Sequence, residues 1–151
     1  MKQLTDLFEG NYKVTQKFGV NKSSYIKYGL QGHDGVDFGV PIGTKLFSPF
    51  DGIVISVKYD KTGYGTHVKI WDKKQWCYLS GHMSRINIKN WQFVKSGQQI
   101  GLSGNTGNST GPHLHAGICE TNLIGMRLNK NNGFAGWLDI LNKKLFVWKL
   151  K

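Results

Sequence analysis

Short apolar runs of period two, each closed by a glycine-bearing turn, recur along the chain and restrict it to an antiparallel, all-β fold. Gly52-Ile53-Val54-Ile55-Ser56-Val57 reads as a strand leaving an Asp51-Gly52 turn, and Thr66-His67-Val68-Lys69-Ile70-Trp71 alternates after Gly63-Tyr64-Gly65. Further strands are predicted over Trp76 to Leu79, Gln98 to Leu102 and His113 to Ile118. Asp60 to Gly63 and Gly104 to Gly111 supply the turn chemistry between them. Trp137 to Leu141 is the one stretch that suggests a helical turn. With 20 glycines in 151 residues, no repeat and no linker, the pattern predicts one sandwich or barrel-like domain over residues 1–151.

Several classes are excluded early. No run approaches the roughly 20 apolar residues of a membrane helix, so no membrane span is expected. Cys77 and Cys119 form neither a disulfide framework nor a Cys-x-x-Cys pair, and both sit among apolar neighbours as small core residues. The net charge of +11 is lopsided: residues 1–60 carry seven Lys/Arg against six Asp/Glu, and residues 61–151 carry thirteen against three. A face of that kind attracts a polyanion. Charge alone leaves nucleic acid, anionic lipid and anionic cell-wall polymers open, but no aromatic-basic module of a nucleic-acid binder accompanies it, so nucleic acid is not expected. The first ten residues lack the apolar run of about 7–15 residues that a secretory signal needs.

The histidines carry the chemistry. His113 and His115 lie in Gly111-Pro112-His113-Leu114-His115-Ala116-Gly117. On a strand the two imidazoles share a face while Leu114 turns to the core. His33 and Asp37 are four apart in Gly32-His33-Asp34-Gly35-Val36-Asp37-Phe38, where glycines 32, 35 and 39 favour a turn feeding a strand over a helix. His82 follows an apolar strand in Ser80-Gly81-His82-Met83-Ser84. Taken singly, each motif is more commonly a structural or surface histidine than a functional one. Taken together, one carboxylate and two imidazoles form a three-ligand zinc set with an open fourth position, the catalytic arrangement. Two imidazoles then remain for proton transfer or charge stabilisation. Spacing alone does not say which motifs meet.

The combination resembles the lysostaphin-type (LytM-like) zinc metallopeptidases, which are peptidoglycan endopeptidases. The resemblance rests on His33-x-x-x-Asp37, the segment Gly43 to Gly52, Gly63-Tyr64-Gly65, His82, the segment Val94 to Gly107, and Ser109-Thr110-Gly111-Pro112-His113-Leu114-His115. It runs in order from about Thr15 to Ile118. It implies one zinc ion held by His33, Asp37 and His115, with His82 and His113 as the two catalytic histidines. It also implies a β-fold of duplicated hybrid-motif type, whose long loops, Asn21 to Gln31 and Asn105 to Gly111, wall a groove. The motif-bearing core would be about 15–118, with 119–151 a C-terminal extension packed on it. Four residues depart from the family's usual pattern: Ser80 and Gly81 before the middle histidine, and Ala116 and Gly117 after the last. His67 matches no motif and is read as structural or surface.

The implied reaction is hydrolysis of peptide bonds in peptidoglycan cross-links or stem peptides by a zinc-activated water. His82 and His113 divide the roles of general base and donor to the oxyanion, in an order the sequence leaves open. The alternative is a catalytically silent relative that binds wall or regulates a hydrolase. The expectation is a monomer acting at the bacterial cell wall. Without a signal peptide, it is expected to be delivered by a phage, as a lysin or virion protein, or to be a domain of a longer secreted enzyme.

Overall fold

The computed structural model describes residues 2–148. In chain order the strands are β1 Lys2–Leu4, β2 Val14–Gln16, β3 Val36–Phe38, β4 Lys45–Phe47, β5 Gly52–Tyr59, β6 Thr66–Trp71, β7 Trp76–Gly81, β8 Met83–Ile86, β9 Phe93–Val94, β10 Gln99–Ser103, β11 Leu114–Glu120, β12 Trp137–Leu138 and β13 Phe146–Trp148. One helical turn, α1 Lys22–Tyr25, runs into a 3-10 turn at Ile26–Tyr28. The main sheet has the order β2-β3-β11-β7-β6-β5-β9, and β4-β10-β8 forms a second sheet. All pairings within these two sheets are antiparallel.

The alternation read in the sequence becomes two layers of packing. From β3, β7 and β11, Val36, Tyr78, Leu114, Ala116 and Ile118 enter one core together with Leu46, Met83 and Ile100 of the smaller sheet. On the opposite face of the main sheet Cys77, Leu79 and Cys119 pack under Trp137, with Phe18, Tyr64 and Phe134 around them. Both faces of the central strands are therefore covered, which is why β7 and β11 read as nearly continuous buried runs. Cys77 and Cys119 are direct cross-strand neighbours, buried and free.

The helical turn expected at Trp137 to Leu141 is not formed, and Trp137–Leu138 is instead β12. Strand β3 pairs only with Leu114 to Ala116 of β11, so the backbone beyond it needs another partner. Trp137 and Leu138 supply that partner at Cys119 and Ile118. The strand predicted from His113 begins one residue later, at Leu114, with His113 in an isolated bridge to Gly104.

The chain beyond residue 119 also closes the opposite end of the fold. Strand β13 pairs in parallel with β1, and Phe146 packs against Trp76 with ring centroids 5.0 Å apart. Asp72 anchors this corner. Its Oδ1 accepts hydrogen bonds from the backbone N–H groups of Lys74, Gln75 and Trp76 at 2.9–3.0 Å, and its Oδ2 meets Lys2 Nζ at 2.6 Å. Burial alone would raise the Asp72 carboxyl, but Lys2 and these three donors hold it below its ordinary value of 3.8. Its contribution is present above that pH and is lost as the pH falls below it. Asp72→Ala strands the buried Trp76 N–H together with the partly buried N–H groups of Lys74 and Gln75, and should destabilise the fold by about 2–3 kcal/mol. Denaturant unfolding at pH 7 measures this; an unchanged midpoint would show that water replaces the carboxylate at no cost.

Candidate metal centre

Register builds the site. His115 lies between Asp37 of β3 and Gly81 of β7 as their direct neighbour, so all three positions share one face of the sheet. A Cβ on Gly81 would stand 3.3 Å from that of His115, a tight fit, and in ordinary contact with Tyr64, 3.6 Å from its Cβ. The Tyr64 ring lies beside His115 with centroids 5.1 Å apart.

His33 arrives from the turn before β3. Its backbone pairs with the segment after β2, His33 N–H donating to the Val20 carbonyl and Gly19 N–H to the His33 carbonyl, both at 2.8 Å. A Cβ on Gly32 would overlap the Gly19 carbonyl, so this approach requires glycine. The side chain is oriented in turn: His33 Nδ1 stands 3.1 Å from the Lys17 carbonyl oxygen. A carbonyl only accepts, so the ring proton sits on Nδ1 and Nε2 presents its lone pair.

That lone pair points into a triangle of acceptors. His33 Nε2 lies 3.0 Å from His115 Nδ1 and 3.1 Å from Asp37 Oδ1, and the last two are 3.0 Å apart. The single proton His115 Nδ1 can carry satisfies one neighbour and leaves the other pair of lone pairs facing each other. The triangle therefore calls for a further proton or a cation at its centre. Tetrahedral zinc, with bonds of about 2.0–2.1 Å, spaces its donors about 3.3 Å apart, close to the edges here. The donor set of two imidazoles and one carboxylate suits that ion.

A second carboxylate stands close by. Asp34, with His33 and His115, also forms a group whose donor atoms fall within 4.8 Å of one another. Its Oδ1 is 3.8 Å from His115 Nε2, on the edge of the ring away from Asp37, and its Oδ2 accepts a hydrogen bond from the Tyr64 hydroxyl. The tighter spacing makes Asp37, not Asp34, the carboxylate of the triangle.

His82 and His113 stand on the same floor, ring centroids 4.6 Å apart. His82 occupies the bend between β7 and β8 at φ 55°, held by its N–H donating to the Tyr64 carbonyl at 2.7 Å. Its Nδ1 donates to the Thr106 carbonyl at 2.6 Å, which leaves Nε2 as the lone-pair nitrogen. His113 Nδ1 lies 2.8 Å from the Gly111 carbonyl, and its Nε2 is 3.5 Å from Asp37 Oδ2. All five site residues from the sequence thus line one cavity of about 690 Å³. Tyr25 and Tyr28 form one wall and Asn108 to Gly111 the other, and Asn108 Nδ2 donates to the Tyr28 hydroxyl at 3.2 Å across the rim. His67 lies outside it, buried, with Nδ1 2.7 Å from the Gly65 carbonyl.

Tyr64, Asp34 and the carbonyls of Lys17 and Thr106 are functional parts that motif spacing passes over. Asp34 did leave a signal: a second acid directly beside His33, in a chain with only nine acidic residues.

The electrostatics separate the groups. Burial alone would raise the Asp37 carboxyl, but the neighbouring His115 and His33 rings, which can donate to it and carry positive charge when protonated, hold it well below the usual carboxylate range. His82 is lowered to about 4, by burial first and by His113 and His115, against the pull of the Thr106 carbonyl. The Tyr25 hydroxyl is pushed up to about 12 by burial and the Asp37 charge, and the Tyr64 hydroxyl rises through burial and Asp34.

The family model described as peptidase family M23 matches residues 31–128. An uncharacterized metalloprotease of Haemophilus influenzae is 40% identical over 92% of this chain. The peptidoglycan DD-endopeptidase ShyA of Vibrio cholerae is 35% identical over 71% of it. The chain spans 30% and 25% of the lengths of these two relatives. Among solved structures, the catalytic domain of lysostaphin from Staphylococcus simulans superposes with a TM-score of 0.68 at 29% identity, covering 85% of this chain and 89% of that domain.

For the metal-free protein, NMR titration of the His82 ring should give a midpoint near 4. Because the folded value lies below the ordinary 6.5, His82 favours the fold fully above pH 6.5 and less as the pH drops towards 4. A midpoint at 6.5 would mean that the ring is solvated rather than enclosed.

Proposed function

This chain belongs to peptidase family M23, and we propose that it is a zinc-dependent endopeptidase that hydrolyses peptide bonds of bacterial peptidoglycan, in its cross-links or stem peptides. The observation that carries this reading is the triangle of His33 Nε2, Asp37 Oδ1 and His115 Nδ1 on the groove floor, with two more imidazoles beside it. We assign the first three residues as zinc ligands and His82 and His113 as catalytic. Zinc, when bound, lowers the pKa of its water towards about 7 and polarises the scissile carbonyl. The substrate class is supported by the peptidoglycan endopeptidase among the relatives and by the cavity of about 690 Å³ over the five residues.

The two catalytic imidazoles differ in a way that divides their work. His82 remains neutral at working pH, with Nδ1–H committed to Thr106, so its Nε2 accepts a proton. His113 Nε2 lies 3.5 Å from Asp37 Oδ2, beside the triangle, which places it to donate towards an oxygen gaining charge. Asp37 joins the metal set through Oδ1 and steadies His113 through Oδ2. The walls, Tyr25 and Tyr28 on one side and Asn108 to Gly111 on the other, flank this row and would hold the peptide against it.

Digestion of purified peptidoglycan, from one glycine-bridged and one directly cross-linked wall, tests the reading. New free amines should appear with zinc, vanish with a chelator and return when zinc is restored. Protein that holds zinc and releases no amines from either wall would overturn the activity. Asp37→Ala should abolish stoichiometric zinc binding, which metal analysis after dialysis measures. His82→Ala should retain zinc and lower turnover by about 10²-fold or more; undiminished turnover would return His82 to a structural role.

A further inference from the structure

His115 uses one edge of its ring in the triangle and leaves the other to be explained. With Nδ1 presenting its lone pair to a metal, the ring proton belongs on Nε2. Nε2 is buried and has no hydrogen-bond partner. The ring edge that carries it lies against the backbone at Gly35, where a Cβ would stand 2.6 Å from Nε2. Gly35 thus admits the ring and closes that side to solvent. The carboxylate oxygen nearest to Nε2 is Asp34 Oδ1, at 3.8 Å, beyond hydrogen-bond length but within ion-pair reach. Asp34 is itself nearly inaccessible, at 6% exposure, and Tyr64 fixes it by donating its hydroxyl proton to Oδ2. The Tyr64 ring also lies beside the His115 ring, so one residue positions both members of the pair.

Resting on the zinc reading above, we infer that Asp34 is a positioning residue: a carboxylate behind the metal set that closes the 3.8 Å gap to accept the Nε2–H of His115 once zinc is held, and so keeps this ligand in its Nδ1-binding tautomer, with Tyr64 as its anchor. His115 then stands between two carboxylates, Asp37 on its Nδ1 side and Asp34 on its Nε2 side. Such outer partners orient an imidazole ligand and raise its basicity, and losing one typically weakens metal affinity 10–100-fold.

The test is the zinc dissociation constant of full-length protein, by competition with a chromophoric chelator, for wild type, Asp34→Asn and Tyr64→Phe. Asn keeps the shape and removes the charge. The expected result is an affinity at least tenfold weaker for Asp34→Asn and a smaller loss for Tyr64→Phe. In the zinc-loaded wild type, a downfield His115 Nε2–H resonance protected from solvent exchange should be visible, and it should disappear in Asp34→Asn. Wild-type affinity in Asp34→Asn with that resonance retained overturns the inference while leaving the zinc reading intact. Wild type that takes up no zinc overturns the reading itself. If Asp34→Asn does not fold, Tyr64→Phe decides: unchanged affinity and an unchanged resonance count against the inference.

Discussion

The register of β11 between β3 and β7 is the constraint on which the rest of this structure depends. Because side chains alternate with a period of two, the pairing that sets His115 beside Asp37 also sends Leu114 and Ala116 into the opposite core. A slip of one residue would bury the imidazole among aliphatic side chains and turn Leu114 towards the groove. The core thus enforces the site: the strands cannot shift without exposing Val36, Leu114, Ala116 and Ile118. The four departures from the family's usual residues follow the same pairing. Ser80 and Ala116 are direct cross-strand neighbours, Gly81 adjoins His115, and Gly117 lies beneath Trp137, so the changes fit one another across two strands.

Charge is distributed against the chain's overall bias. In a protein of net charge +11, Asp34 and Asp37 are buried at the groove, and among the described residues their partners are imidazoles and a phenol rather than lysine or arginine. A buried carboxylate without a fixed cation is costly. Asp72, at the far corner, shows the ordinary solution, a lysine and three peptide N–H groups. The groove carboxylates lack that arrangement, and a pair of them beside imidazole lone pairs is what a divalent cation compensates.

How much of this was legible in the chain varies with the physics involved. The five longest strands were, because alternation and glycine turns are local, and β6 was read at its observed limits, Thr66–Trp71; the others, of two to four residues, are too short to show a period. The convergence of His33, Asp37, His82, His113 and His115 on one groove came from the family resemblance, since residues 82 positions apart meet through sheet order, which spacing does not encode. Trp137 was misjudged because its strand exists only where β3 stops covering β11. The carbonyls of Lys17 and Thr106, which set two imidazole tautomers, were invisible for a plainer reason: every residue has one.

The wall Asn105 to Gly111 is rooted where two backbones cross. A Cβ on Gly65 would stand 2.4 Å from the Thr106 carbonyl carbon, and one on Gly107 would overlap the Gly65 backbone in return. Thr106 adds two ties, its hydroxyl accepting from the Thr66 N–H at 3.0 Å and donating to the Met83 carbonyl at 2.8 Å. The residue whose carbonyl orients His82 is therefore locked by main-chain contacts, and the next turn is tied as well: the Asn108 N–H donates to the Gly63 carbonyl at 2.9 Å, and the Ser109 hydroxyl lies 3.1 Å from His113 Nδ1. One loop thus grips two imidazoles, His82 from its root through Thr106 and His113 from its tip through Ser109. The wall of the groove is therefore also part of the frame that aims those rings, so a change in its outline is felt on the floor.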